Sequence, residues 1–289
     1  TNLNREDYQL CPSFLRALEA RQPLEETGCF KGDCPSRREM ERRQELIEST
    51  DRRQRPLPLN MVCPSGFWGF RHSIGNPLGS RSEINHEMLY QQAPELTVAV
   101  FPSFHEWPKH QQALKSLMPG MTWNLADTRE ETRTKLKSTK PHLVYFYCHG
   151  GVISDTPFIK VGAREELGIT PDNLDGWGIE WKYPQPLVFI NGCHTTASEP
   201  KQALHFVEKF VITCNAAGVI GTEITIFEEL AAAFAEECLR RFLVGGETIG
   251  DSVRRARLKL LGQGNPLGLV YNIYANAGLR LKKAGKPSN

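Results

Sequence analysis

The sequence predicts an α/β fold: a mostly parallel sheet of about six strands covered by helices, preceded by an irregular, partly helical N-terminal extension. Three observations carry this. From about residue 95 onward short apolar runs alternate with helical patterns, the signature of a parallel sheet with helices on its faces. Two of the runs, LVYFYC and LVFI, lack polar alternation and so read as strands buried on both faces. Residues 1 to 90 are instead rich in Pro, Arg and Cys, with little sustained apolar periodicity.

The six predicted strands are Leu96 to Phe101, Met121 to Ala126, Leu143 to Cys148, Leu187 to Ile190, Ala217 to Gly221 and Leu269 to Tyr274, with the third and fourth mid-sheet. The clearest helix places Leu230, Phe234, Cys238 and Phe242 on one stripe and ends at Gly245-Gly246. The next opens with Thr248 as N-cap and Asp251 in its first turn, then buries Ile249, Val253, Ala256 and Leu260. Weaker helices are read at His110 to Leu117, Thr128 to Lys137 and Gln202 to Ile212. In the extension one helix is predicted, opened by a capping box of Ser36 with Glu39. Its sequence, SRREMERRQELIESTDRRQR, mixes seven Arg with five acids, so it reads as a solvated face rather than a nucleic-acid patch.

A length of 289 residues suits one large domain with an appendage, or two small ones. The boundaries expected are 1–90 for the extension and 91–289 for the sheet domain. Hydrophobic residues are 40%, charged residues 24%, and 35 Lys+Arg meet 33 Asp+Glu, an ordinary globular balance that argues against a strongly basic nucleic-acid binder. No apolar run approaches the ~18 residues of a membrane span, and no signal peptide is readable, so a membrane role is not expected. Eight Cys are too few for a disulfide-stapled secreted scaffold, which predicts reduced thiols and a cytoplasmic location. The chain opens on Thr rather than Met and reads as a piece of something longer.

The chemistry concentrates at two strand ends, Cys148-His149-Gly150-Gly151 and Asn191-Gly192-Cys193-His194. Sites in open parallel sheets form outside the carboxyl ends of strands, so both segments are expected at the functional edge. A thiolate is the competent nucleophile, and a nearby imidazole takes its proton or pairs with it. Cys193 follows His149 by 44 residues, close to the ~50 that separate the caspase-type pair. Gly150 and Gly151 are expected to turn the chain sharply past the His and, with the backbone of Cys193, to present N–H groups to an oxyanion. Side chains alternate along a strand, so one member of each Cys-His dipeptide faces the cleft. A helix expected after the HG pair favours His149, with Cys148 as buried packing. Two plainer readings compete: zinc bound by the two dipeptides, disfavoured because Cys-His is not metal-ligand spacing, and structural coincidence.

The segments LVYFYCHGG, PLVFINGCHT, AAGVIGTE, EELAAAFAEECLRRFLVGGETIGDSVRRARLKLL and NPLGLVYNIYANAGLRL, with CPSGFWGFR at Cys63 to Arg71 ahead of them, together resemble a CHAT domain, over roughly residues 60 to 281. CHAT domains are a prokaryotic branch of the caspase-like cysteine peptidases related to separase. The resemblance implies a caspase-like three-layer α/β sandwich and an activatable cysteine endopeptidase in bacterial defence or signalling, with His149 as base and Cys193 as nucleophile. It also implies a protein substrate and an activating sensor domain or partner, and no cofactor. From the separase-like relatives it implies a preference for a basic residue before the scissile bond, carried by Glu223, with Asp155 and Glu228 as the other candidate acids. The reading from another class is a catalytically silent caspase-like adaptor. Cys11, Cys29, Cys34 and Cys63 precede the sheet, and Cys29-x4-Cys34 lies within the range of paired zinc ligands. The outer spacings match no compact zinc module, so these are read as scattered thiols in packing positions, with no metal expected.

Overall fold

The apolar runs do hydrogen-bond into one sheet in the computed structural model of the chain, which describes residues 9–34, 36–51, 61–78, 86–117, 119–154, 156–192, 205–224 and 226–284. The extension contributes β1 (Gln9–Leu10), α1 (Pro12–Glu19), α2 (Gly28–Lys31), α3 (Arg37–Ser49), β2 (Met61–Val62), α4 (Trp68–Arg71) and β3 (Glu87–Tyr90). Then come β4 (Glu95–Val100), α5 (Trp107–Leu117), β5 (Thr122–Ala126), α6 (Arg129–Ser138), β6 (Leu143–Ile153), β7 (Thr156–Lys160) and α7 (Pro171–Trp177). The chain continues through β8 (Leu187–Gly192), β9 (Gly218–Thr222), α8 (Glu228–Leu239), α9 (Ile249–Gly262), β10 (Tyr271–Ala275) and β11 (Arg280–Lys283).

The strand order is β10-β9-β8-β6-β4-β5. Every neighbouring pair is parallel except β10, which runs antiparallel to β9. All six predicted strands are present, and LVYFYC and LVFI lie at the centre, as runs buried on both faces must. Alternation within the strands sorts the core into two layers. Tyr145, Tyr147, Leu187, Phe189 and Tyr271 face α5, α8 and α9, while Val144, Phe146, Cys148, Val188 and Ile190 face α6, α7 and the π-helical turn Lys209–Thr213. The result is a three-layer α/β sandwich. Thr248 caps α9 as predicted, accepting the Asp251 N–H at 3.1 Å, and Thr128 caps α6 by accepting that of Glu131.

Three expectations are corrected. Gly150 and Gly151 do not turn the chain, nor does a helix follow them: β6 runs on to Ile153 and folds back as β7, pairing His149 with Lys160 and Gly151 with Phe158. Gly151 is needed for closeness, because a Cβ there would stand 2.8 Å from the Phe158 ring. Ser36 precedes α3 but makes no side-chain cap. Its hydroxyl meets Ser13 at 2.9 Å and the Cys11 thiol at 3.6 Å instead, and the Glu39 side chain lies outside the described residues. Among the described residues the extension holds four α-helices rather than one. α1 escaped the sequence reading because its only buried apolar side chains are Phe14 and Ala17, beside Ser13, too short a stripe to show a period. Of the helix expected at Gln202 to Ile212, residues 202–204 lie outside the described residues.

Candidate functional site

The ends of β6 and β8 open into a cleft of about 180 Å³ lined by Phe104, Tyr147, His149, Asn191, Gly192, Phe227 and Glu228 among others. β6 positions His149 through its alternation: Cys148 is fully buried in the α6–α7 layer, and His149 points the other way, half-buried between two rings. Its imidazole packs edge-to-face on Phe101 at 4.6 Å and Phe104 at 4.5 Å. Because Cys148 and His149 leave opposite faces, they cannot share an ion, which removes half of the zinc arrangement considered for the two dipeptides.

Burial pulls the His149 pKa below the ordinary imidazole value; the Glu228 carboxylate opposes this, and Arg164 and Lys160 add to it. The imidazole is therefore kept neutral and able to accept a proton, with one carboxylate close enough to steady the cation once formed. Glu228 sits in the first turn of α8, where its Oε2 accepts the Glu106 backbone N–H at 3.3 Å. The Tyr147 hydroxyl donates to the Glu228 carbonyl at 3.2 Å.

Beneath the cleft lies a buried polar chain that the sequence reading did not identify. His110 bridges Glu236 and the Tyr145 hydroxyl, at 2.8 Å each. Asn191 donates to the Tyr145 hydroxyl at 2.7 Å and to the Ala231 carbonyl at 2.9 Å, and its Oδ1 accepts from the Tyr271 hydroxyl at 2.7 Å. Asn191 thus ties β8 to β6, β10 and α8 two residues before Cys193. The available signal was an Asn ending an otherwise apolar run, since a buried amide must be satisfied. Thr222 donates to the Gly192 carbonyl and adds a tie to β9. Gly192 itself has no room for a side chain: a Cβ would fall 2.1 Å from the Cys148 carbonyl oxygen.

Of the residues singled out from the sequence, His149, Gly192 and Glu228 come together at this cleft. Glu223 does not line it; its carboxylate accepts from Asn272 on exposed surface. Asp155, Cys193 and His194 lie outside the described residues, and Gly150 continues the β6–β7 ladder opposite Ile159. A larger hollow of about 760 Å³ opens beside α9, but Glu25, Glu237, Arg241, Arg255 and Lys259 line it as ion-paired groups and no nucleophile stands there. Among the described residues no helix is long and apolar enough to cross a membrane.

No family model matches the chain. It is 41% identical over 296 residues to a protein of Vitiosangium sp. (strain GDMCC 1.1324) named a probable protease, the match covering 98% of this chain and 36% of that protein. The chain thus spans little more than a third of its relative. Among solved structures it is similar to two crystal structures of the Saccharomyces cerevisiae separase-securin complex. Their TM-scores are both 0.45 and their identities 15% and 14%, over 68% and 70% of this chain and 12% and 13% of those. The three-layer fold is read from the strand order itself.

Proposed function

We propose that the chain is a caspase-like cysteine endopeptidase with His149 as general base and Cys193 as nucleophile. The observation that carries this reading is the register of the two central strands. β6 and β8 are parallel, with Tyr147 opposite Asn191 and Cys148 opposite Gly192. The strand end that carries His149 therefore lies beside the strand end that Cys193 follows in the sequence. Leu187 and Phe189 of β8 pack on the same face of the sheet as Tyr145 and Tyr147 of β6, and this reading takes the Cys193 thiol to act from that face. The name carried by the Vitiosangium relative supports the same class.

In this reading the Cys193 Sγ proton passes to His149, the thiolate adds to the scissile carbonyl, and His149 returns the proton to the leaving amine as the acyl-enzyme forms. Water, deprotonated by the same imidazole, then releases the acid. The oxyanion is held by backbone N–H groups, with Gly150 and Cys193 as donors. Residues 91–289 form the peptidase domain and residues 1–90 an extension packed on it, and a sensor domain or partner protein switches it on in a prokaryotic cytoplasm. The acid that selects a basic residue before the scissile bond is Glu228, which lines the cleft, in place of Glu223, whose carboxylate is engaged by Asn272.

The test is cleavage by the activated full-length protein. Cys193→Ala and His149→Ala are each expected to reduce kcat/KM to below a few per cent, with the double variant little worse, because the pair acts as a unit. Cys148→Ser should keep measurable activity. Robust cleavage by a folded Cys193→Ala variant removes the dyad, whereas no cleavage by the activated, unaltered protein leaves the adaptor reading.

A further inference from the structure

Three of the four cysteines in the extension open the same tripeptide: Cys11-Pro12-Ser13, Cys34-Pro35-Ser36 and Cys63-Pro64-Ser65. Each stands just before a helical segment, at α1, α3 and the 3-10 turn Pro64–Gly66. The repetition has a physical reading. A Pro after the cysteine fixes φ and, lacking an N–H, suits the first position of a helical segment. At Cys11 the thiol lies 3.6 Å from the Ser36 hydroxyl, which itself meets the Ser13 hydroxyl at 2.9 Å. The Cys63 thiol meets the Ser65 hydroxyl at 3.0 Å, and the Cys34 carbonyl accepts the Arg37 N–H at 3.1 Å as α3 begins.

The fold brings these four cysteines into one region of the extension. β1 and β2 pair in parallel with Leu10 opposite Val62, and the Cys11 N–H donates to the Val62 carbonyl at 3.0 Å, so Cys11 and Cys63 emerge side by side. Gly32, in the left-handed region at φ 90°, reverses the chain after α2 and returns Cys34 toward Cys29. Cys29 lies within electrostatic reach of Cys34, Cys63 and Cys11, and the Ser36 hydroxyl, two residues after Cys34, stands 3.6 Å from the Cys11 thiol.

We propose that Cys11, Cys29, Cys34 and Cys63 bind a structural zinc ion that pins the extension to itself. Four thiols from two chain-distant pairs supply the ligand chemistry of a closed tetrahedral site of four thiolates. Soft thiolates select zinc over calcium or magnesium. Among the described residues no three ligating side chains are already drawn to a common centre, so rotation of the partly exposed Cys34 and Cys63 side chains closes the tetrahedron, each ligating thiol giving up its proton. The need is also physical. Beyond these thiols the local core is Phe14, Ala17, Leu24 and Phe70 with Leu258 and Leu261 of α9, which is little for a segment of this length to stand on.

The experiment measures metal in the full-length chain, purified under reducing conditions without chelator and dialysed. About one zinc per chain is expected, retained in Cys193→Ala and lost from the Cys29→Ser, Cys34→Ser double variant. That variant loses zinc equally if it fails to fold, so the unaltered chain exchanged with cobalt decides: it should show intense visible bands and thiolate charge transfer. Metal content near zero, iron in place of zinc, a Cys29–Cys34 disulfide in the reduced preparation, a cobalt spectrum without thiolate character, or zinc retained by the folded double variant each overturns the proposal.

Discussion

His149 shows how a single side chain acquires its chemistry from what covers it. Two phenyl rings strip water from the imidazole and lower its pKa, and Glu228 is the carboxylate that partly restores it. The sign follows directly. A base whose pKa is depressed stays neutral to more acidic pH, so the acid limb of kcat/KM is expected below the ordinary imidazole value. Glu228→Gln removes a charge that raises this pKa and should move the limb lower still, while Lys160→Gln should move it up. The same Glu228→Gln substitution keeps shape and removes charge, so peptide-library profiling should show loss of the preference for Arg or Lys, with Glu223→Gln unchanged. Cleavage after Asp, or a basic preference untouched by Glu228→Gln, would sink the assignment of this acid.

At the scale of elements, the site depends on how closely β6 and β8 lie at their ends. A Cβ on Gly192 would meet the Cys148 backbone oxygen at 2.1 Å, and backbone cannot step aside as a flexible side chain can. Gly192→Ala is therefore expected to cost about 2 to 4 kcal/mol in denaturant unfolding and to lower activity further by displacing the strand end. Gly176→Ala in α7 is the contrast: nothing lies within 4 Å of its added Cβ, and a gain of about 0.5 to 1 kcal/mol is expected. Equal midpoints for the two variants would contradict the register. The chain from His110 through Tyr145 and Asn191 to Tyr271 is the other device that fixes these strand ends. Removing the Tyr145 hydroxyl leaves His110 and Asn191 short of a partner, so Tyr145→Phe should destabilise by about 1 to 3 kcal/mol.

Across the whole molecule, α8 and α9 are locked beneath the sheet by a buried carboxylate. Glu237 is only 5% exposed yet accepts from Arg240, Arg241 and Lys259. Burial alone would raise its pKa, but these three cations hold it down at about 2. A carboxyl depressed on folding stabilises above its unfolded pKa and loses that contribution as pH falls through the folded one. Stability should therefore fall between about pH 4.5 and 2 in a way that Glu237→Gln abolishes, the variant being less stable at neutral pH by on the order of 2 kcal/mol. Parallel pH–stability curves for the two proteins would show that the cluster is not coupled to folding.

The amino-acid sequence by itself determined the six strands β4, β5, β6, β8, β9 and β10 of the main sheet, which of them are central, and which strand ends precede the imidazole and the thiol. Those features follow from local periodicity and from the burial that an unbroken apolar run requires. It also carried two signals that periodicity does not expose, the Asn that closes LVFI and the threefold Cys-Pro-Ser. The tertiary structure alone decided that β6 runs past Gly151 into a hairpin, that Glu228 rather than Glu223 lines the cleft, and that Cys11 meets Cys63 across two short strands. Each of these rests on contact between groups far apart in the chain, whose meeting is set by which strand lies beside which and not by any property of the residues on either side.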